Sequence, residues 1–245
     1  MEHVWTILDS ICINYKTWVL YIVCATILCD YNILQGIVAF LYAYFACYAG
    51  HYLMHMEWFY CNIYSISHNY HHINTEWFSY LINCIVEYLT LSNNIILKYI
   101  FLEFEIMNLF FINSWMILFL YFLYTTVHNI NYGIYRVNKY HSHHHDVSKS
   151  NIGPDIFDLL IGTKNKNTPQ NEQIDHYIPN IIGSFLTVLL LKTLYESFSN
   201  KKTIHEVFIF AWVLLTGFLG YATLDIFQKE TKQTVMDEIQ KFTIK

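Results

Sequence analysis

Thirteen histidines stand in this chain of 245 residues, against 14 lysines plus arginines. Ten of the 13 fall between His51 and His145. They come in four groups. His51-Tyr-Leu-Met-His55 is an H-x-x-x-H, and on a helix residues i and i+4 share a face, so both rings can approach one metal. His68-Asn-Tyr-His71-His72 is an H-x-x-H-H, which gathers three rings on one helical face. His128 stands alone. In His141-Ser-His143-His144-His145, the residues His141, His144 and His145 repeat the H-x-x-H-H spacing, and His143 points elsewhere on a helix. Imidazole suits iron, zinc and copper. Eight or nine convergent imidazoles exceed what one metal can use and fit two metals within one site. A shell of neutral ligands lets iron cycle between oxidation states while oxygen is activated, which is the chemistry needed to attack an unactivated C–H bond.

The elements that must position these groups are membrane helices. The chain is 55% hydrophobic and only 13% charged, whereas a soluble domain carries about a quarter charged residues. A net charge of −5 argues against a nucleic-acid partner. Residues 31–56, 106–135, 176–191 and 207–224 contain no Asp, Glu, Lys or Arg, and a crossing helix needs about 20 largely apolar residues. A shorter run, 17–29, becomes a span with Asn14–Lys16 at the interface. The segment 77–102 holds Glu87 and Lys98, so it reads either as a crossing or as a re-entrant helix. The spans pair into hairpins at roughly 17–30 with 33–50, 79–102 with 106–127, and 178–197 with 205–224. The N-terminus, loop 51–78, loop 128–177 and the C-terminal tail then share one face. Ten lysines and arginines lie on that face and four on the other, which makes the histidine face cytoplasmic. The expected fold is all-α: a single membrane domain over 1–245, a polytopic helical bundle with a cytosol-facing helical cap carrying the histidines. The six cysteines at 12, 24, 29, 47, 61 and 84 form no C-x-x-C pair and read as reduced apolar residues. The first 16 residues carry no cleavage-like site, so no removable signal peptide is expected.

The order H-x-x-x-H, H-x-x-H-H, an intervening His, then H-x-x-H-H resembles the fatty acid hydroxylase/sterol desaturase superfamily of membrane diiron enzymes. After the last box those enzymes commonly have Asn-aromatic-Gly, an Asp, then Gly-Thr. This chain reads Asn151-Ile152-Gly153, Asp158, then Gly162-Thr163. The likeness covers about 45–170, and a C-terminal helical hairpin at about 178–224 goes beyond it. The resemblance implies a diiron site facing the cytosol from the endoplasmic reticulum or an equivalent internal membrane. It implies O2 as co-substrate and a lipid substrate entering from the bilayer. Electrons would come from a cytochrome b5-type donor with its NAD(P)H-linked reductase. No stretch reads as a fused cytochrome b5 domain, so the donor is expected to be a separate chain. A fainter likeness to Kua-type lipid desaturases, which include the plasmanylethanolamine desaturases, lies in His71-His72, Glu87 and Asn93-Asn94. It makes desaturation the alternative to hydroxylation.

The resulting ligand set is His51, His55, His68, His71, His72, His128, His141, His144 and His145, with His143 and His176 in reserve. His3 and His205 have no partner spacing and read as interfacial. Family members often pair the intervening histidine with another; here the residue four before His128 is Tyr124, and the usual aromatic after Asn151 is Ile152. Ligating imidazoles need an acceptor on the other ring nitrogen. The candidates for that role are Asp158, Asn151, Glu87, Asn129 and Asp146. Gly153 and Gly162 are expected in turns, and Gly50 at a close helix contact. Two other classes remain: a metal transporter using the same histidines transiently, and a bis-histidine haem protein, which needs two opposed histidines rather than nine.

Overall fold

A computed structural model describes residues 2–56, 62–74, 76–104, 109–138, 140–147, 149–169 and 171–229. Among the described residues the chain is helical and has no strand. Helix α1 (Glu2–Ile13) turns by 76° into α2 (Tyr15–Leu28). A short turn leads to α3 (Ile33–Met54), which Asn32 starts by accepting a hydrogen bond from the Gln35 amide at 3.0 Å. Then come α4 (Ile63–Ile73), α5 (Trp77–Glu103) and α6 (Ser114–Thr126). Helix α6 runs directly into π-helical turns over Val127–Ile134. Short helices α7 (Tyr140–Asp146) and α8 (Asp155–Ile161) precede α9 (Ile178–Ser197) and α10 (Lys201–Lys229).

Four segments are long and apolar enough to cross a membrane: Ile33–Met54, Trp77–Glu103, Asp175–Ser197 and Lys201–Leu224. The bent pair α1–α2 makes a fifth if it counts as one span. Such a set of apolar helices marks a membrane protein. The ambiguous segment at 77–102 is one continuous helix of 27 residues. The expected span at 106–127 is not among the crossing segments: α6 is a helix of 13 residues. Residues 106–108 lie outside the described set, and helix starts at Ser114, where Asn113 accepts from the amides of Trp115 and Met116. The π-helical turns then carry it on to Ile134.

The expected α2–α3 and α5–α6 hairpins are present as packed pairs. The third is splayed. Helix α9 packs along α6 and α2, whereas α10 packs along α5 and α4. The hairpin turns nevertheless gather at one end. Lys192 near the end of α9 reaches Asp30 in the α2–α3 turn at 2.5 Å. The Tyr195 ring lies 5.4 Å from Trp115, and His205 lies 4.8 Å from Tyr99. The histidines His51 and His128 lie at the opposite ends of α3 and α6. Close approach of α3 to its neighbours needs small residues. A Cβ on Gly36 would meet the Thr26 backbone nitrogen at 2.9 Å, and one on Gly50 would meet Thr90 Cγ2 at 2.7 Å. The core between the helices is apolar and aromatic, built on Tyr21, Phe40, Met116, Phe119 and Leu120. The described cysteines are free.

Candidate metal centre

Each histidine group is delivered by a different element. His51 sits in the last turn of α3, and His55 caps that helix. His68, His71 and His72 occupy α4, whose first turn is capped by Asn62 accepting from the Tyr64 amide at 2.8 Å. Asn69 on α4 donates to the Ser65 carbonyl at 2.8 Å and to the Met54 carbonyl at 3.3 Å, tying α4 to the end of α3. His128 is carried by the π-helical turns, and His141, His144 and His145 by α7. π-Helical turns are rare and concentrate at functional sites.

These nine side chains assemble into two groups. His51, His55, His68, His72 and His144 form one; His71, His128, His141 and His145 form the other. Within each, one ring nitrogen per residue lies within 4.8 Å of the rest. The groups adjoin: the rings of His71 and His72 are 4.4 Å apart, and those of His72 and His145 are 4.1 Å apart. All nine expected residues fall in one or the other group, and both groups could hold a metal ion. His143 and His176 belong to neither. His176 instead hydrogen-bonds the Gln173 carbonyl through Nδ1 at 3.1 Å.

The ring nitrogens divide by role. The Nε2 atoms face one another: His68 and His55 at 3.2 Å, His144 and His51 at 3.1 Å, His128 and His141 at 3.0 Å, His145 and His141 at 2.6 Å. The Nδ1 atoms of five rings are held from behind. His51 Nδ1 meets the Tyr124 hydroxyl at 2.5 Å, and His68 Nδ1 meets Asn83 Oδ1 at 2.9 Å. His144 Nδ1 meets the Ser150 carbonyl at 2.9 Å. His71 Nδ1 meets the His68 carbonyl, and His128 Nδ1 the Glu87 carboxylate. A proton on Nδ1, donated outward to these acceptors, leaves the Nε2 lone pair for a metal. Nε2 of His71 and both ring nitrogens of His72 are buried with no partner among the described residues. A buried polar nitrogen without a partner is costly, and a bound cation would relieve it.

Glu87 and Asn83, on successive turns of α5, link the two groups. Asn83 accepts from His68 and donates to Glu87 Oε1 at 2.8 Å. Glu87 also accepts from Thr125 at 2.6 Å and from Asn129 at 3.4 Å, and its Oε1 contacts His128. Glu87 and Asn129 were legible candidates. Asn83 and Tyr124 as partners of imidazoles were not, because neither carries a charge or stands in a motif that marks it. Asp158 takes a different place from the one expected. Its carboxylate accepts from the amides of Ile152 and Gly153 and from the Thr163 hydroxyl, at 3.0, 2.8 and 2.6 Å. It therefore shapes the loop that presents the Ser150 carbonyl rather than touching a ring. Asn151, at φ +50°, likewise braces that loop by accepting from the Asn165 amide at 2.9 Å. Gly153 and Gly162 sit at positive φ in the turns foreseen for them. The Asp146 side chain lies outside the described residues.

Burial sets the charge of the rings. Desolvation, followed by the neighbouring His128, pushes His68 and His145 down to about 3. Desolvation and adjacent imidazoles likewise lower His55, His71, His72, His141 and His144. Neutral rings are the form that binds metal. Compared with protein-family models, curated proteins and solved structures, the chain matches none, so the geometry of the centre carries the functional reading.

Proposed function

We propose that this chain is a membrane-bound non-haem diiron oxygenase that uses O2 and electrons to hydroxylate a lipid. One observation carries the reading: two adjoining, largely buried imidazole groups whose Nε2 atoms converge while partners hold five of the Nδ1 atoms from behind. Two irons held there would activate O2 with donated electrons and supply the oxidising power that breaks an unactivated C–H bond. The net change is RH plus O2, two electrons and two protons to ROH plus water. The chain's own residues supply the rest. Tyr124, Asn83, Glu87 and the Ser150 carbonyl orient the rings, and burial keeps bulk water away from a reactive centre.

The excess of lysine and arginine on the histidine side of the predicted spans supports a cytosolic orientation, within reach of a cytochrome b5-type donor. Ligands strung along the spans would suit a transporter; here they gather at one end of α3 and α6.

Purified protein is expected to contain two non-haem irons per chain and no Soret band. Lipid extracts from cells expressing the chain are expected to hold a species with one added oxygen; a species lacking two hydrogens would assign desaturation instead. His71→Ala and His144→Ala, one from each group, are expected to abolish the product and to lower bound iron. Full activity in either variant would falsify the ligand assignment.

A further inference from the structure

We propose that the chamber beside the His71–His128–His141–His145 group is a head-group subsite, in which Glu172 and Tyr21 hydrogen-bond a neutral hydroxyl at the polar end of the substrate. The proposal names the substrate class for the site described above, and rests on that reading for the reacting end alone.

The chamber is lined by His128 and His141 on the metal side and by Tyr21, Tyr132, Tyr177 and Glu172 beyond them. Tyr21 is wholly buried in α2, and its hydroxyl has no partner among the described residues. A phenol held in the dark without a partner is costly unless something else binds it. Glu172 is also buried. Its described side-chain hydrogen bonds, from the Tyr132 hydroxyl at 2.6 Å and from the Asn138 amide, both go to Oε1. That leaves Oε2 for a bound donor. Tyr132 in turn stacks on the His141 ring, with centroids 5.5 Å apart, so Glu172 is tied to the wall that carries the metal ligands.

The charges decide which head fits. Asp155, Asp158 and Glu172 line the chamber, and among the described residues no lysine or arginine does. Asp155 is satisfied by Lys164, and Asp158 by backbone amides and Thr163. Glu172 keeps one oxygen, Oε2, without a described hydrogen bond. A carboxylate or phosphate head would meet acids with no free cation among the described lining residues to receive it. A hydroxyl can donate to Glu172 and accept from Tyr21 at once. An ammonium head could also reach both groups, but burial raises Glu172 toward its neutral form and so weakens its hold on a cation.

The test is equilibrium binding of radiolabelled 1-hexadecanol, hexadecanoate and hexadecylamine to the protein in lipid nanodiscs, corrected for empty discs. Hexadecanol is expected to bind about tenfold more tightly than hexadecanoate or hexadecylamine. Tyr21→Phe and Glu172→Gln are each expected to weaken hexadecanol binding by about five- to tenfold. Tyr21→Phe removes only an unpartnered hydroxyl, so its thermal midpoint is expected to stay at the wild-type value. The chamber belongs to the polypeptide, so the preference is expected to persist in chelator-stripped protein. It therefore survives even if the chain proves to hold no iron. Equal or tighter binding of hexadecanoate or hexadecylamine, or undiminished hexadecanol binding by Tyr21→Phe, overturns the subsite. So does an absence of hexadecanol binding altogether, which would leave a water-filled chamber.

Discussion

An imidazole is a useful ligand only when its two nitrogens have different jobs, and in this chain the division is made by partners outside the histidine motifs. Asn83 is the most informative of them. Its Oδ1 holds His68 of one group, and its Nδ2 holds Glu87, which holds His128 of the other. Replacing such a partner commonly costs 10- to 100-fold in metal affinity. Asn83→Ala is therefore expected to lower metal retention by about that factor in both groups, read as metal per chain after dialysis against a graded chelator. Wild-type retention would show that packing alone orients the rings. Asp158 teaches the converse. It stands where the motif places an acid, yet it acts on loop amides and reaches His144 only through the backbone of Ser150.

At the scale of elements, the C-terminal segment explains itself by where its two helices go. Helix α10 backs α4, with Thr223 and Ser67 hydroxyls paired at 2.8 Å. Helix α9 backs the π-helical turns, with Asn131 donating to the His176 carbonyl at 3.0 Å and to Asn180 Oδ1 at 2.9 Å. Each helix thus steadies a different histidine-bearing piece, which a tight hairpin on one side of the bundle could not do. Asn131→Ala would leave two acceptors without their donor, and each such loss costs about 1–3 kcal/mol when buried. The expected outcome is a lower thermal midpoint together with loss of one metal per chain, from the group that contains His128. Equal loss from both groups would mean that the brace supports the whole centre rather than the π-helical turns.

For the whole molecule, burying many neutral imidazoles makes stability depend on pH. His68 and His145 are held at about 3, against an ordinary value of about 6.5. Between those values the unfolded chain takes up protons that the folded chain refuses, so their contribution is full above about 6.5 and is lost as the pH falls toward 3. Two acids oppose this. Desolvation raises Asp158 to about 6 and Glu172 to about 7. In those cases the folded form binds the extra proton, and stability is lost as pH rises through that range. Seven lowered imidazoles outside the spanning helices outnumber the two acids. The metal-free protein in detergent is thus expected to show a thermal midpoint that falls steadily below about pH 6. A flat or rising midpoint on acidification would contradict the burial of the rings.

Much of this was written in the linear chain. The spacing of His51 with His55, and of the two H-x-x-H-H boxes, is local: helical geometry puts those rings on one face whatever surrounds them. Apolar runs likewise locate membrane helices because a bilayer tolerates little else. Other features were set by contacts between distant segments. The expected helix start at 106 gave way to an Asn113 cap at Ser114. The turn that aims His128 is π-helical over Val127–Ile134, which the spacing of those residues did not indicate. At the bend, the Asn14 side-chain amide bonds the Glu172 carbonyl and the Ile174 amide across the chain. Composition and spacing by themselves determined a helical membrane protein with eight histidines poised to gather and His128 placed among them by its position at a helix end. Only the tertiary structure decided how they divide, five and four, because the division depends on which helix ends meet and on which side chains stand behind each ring.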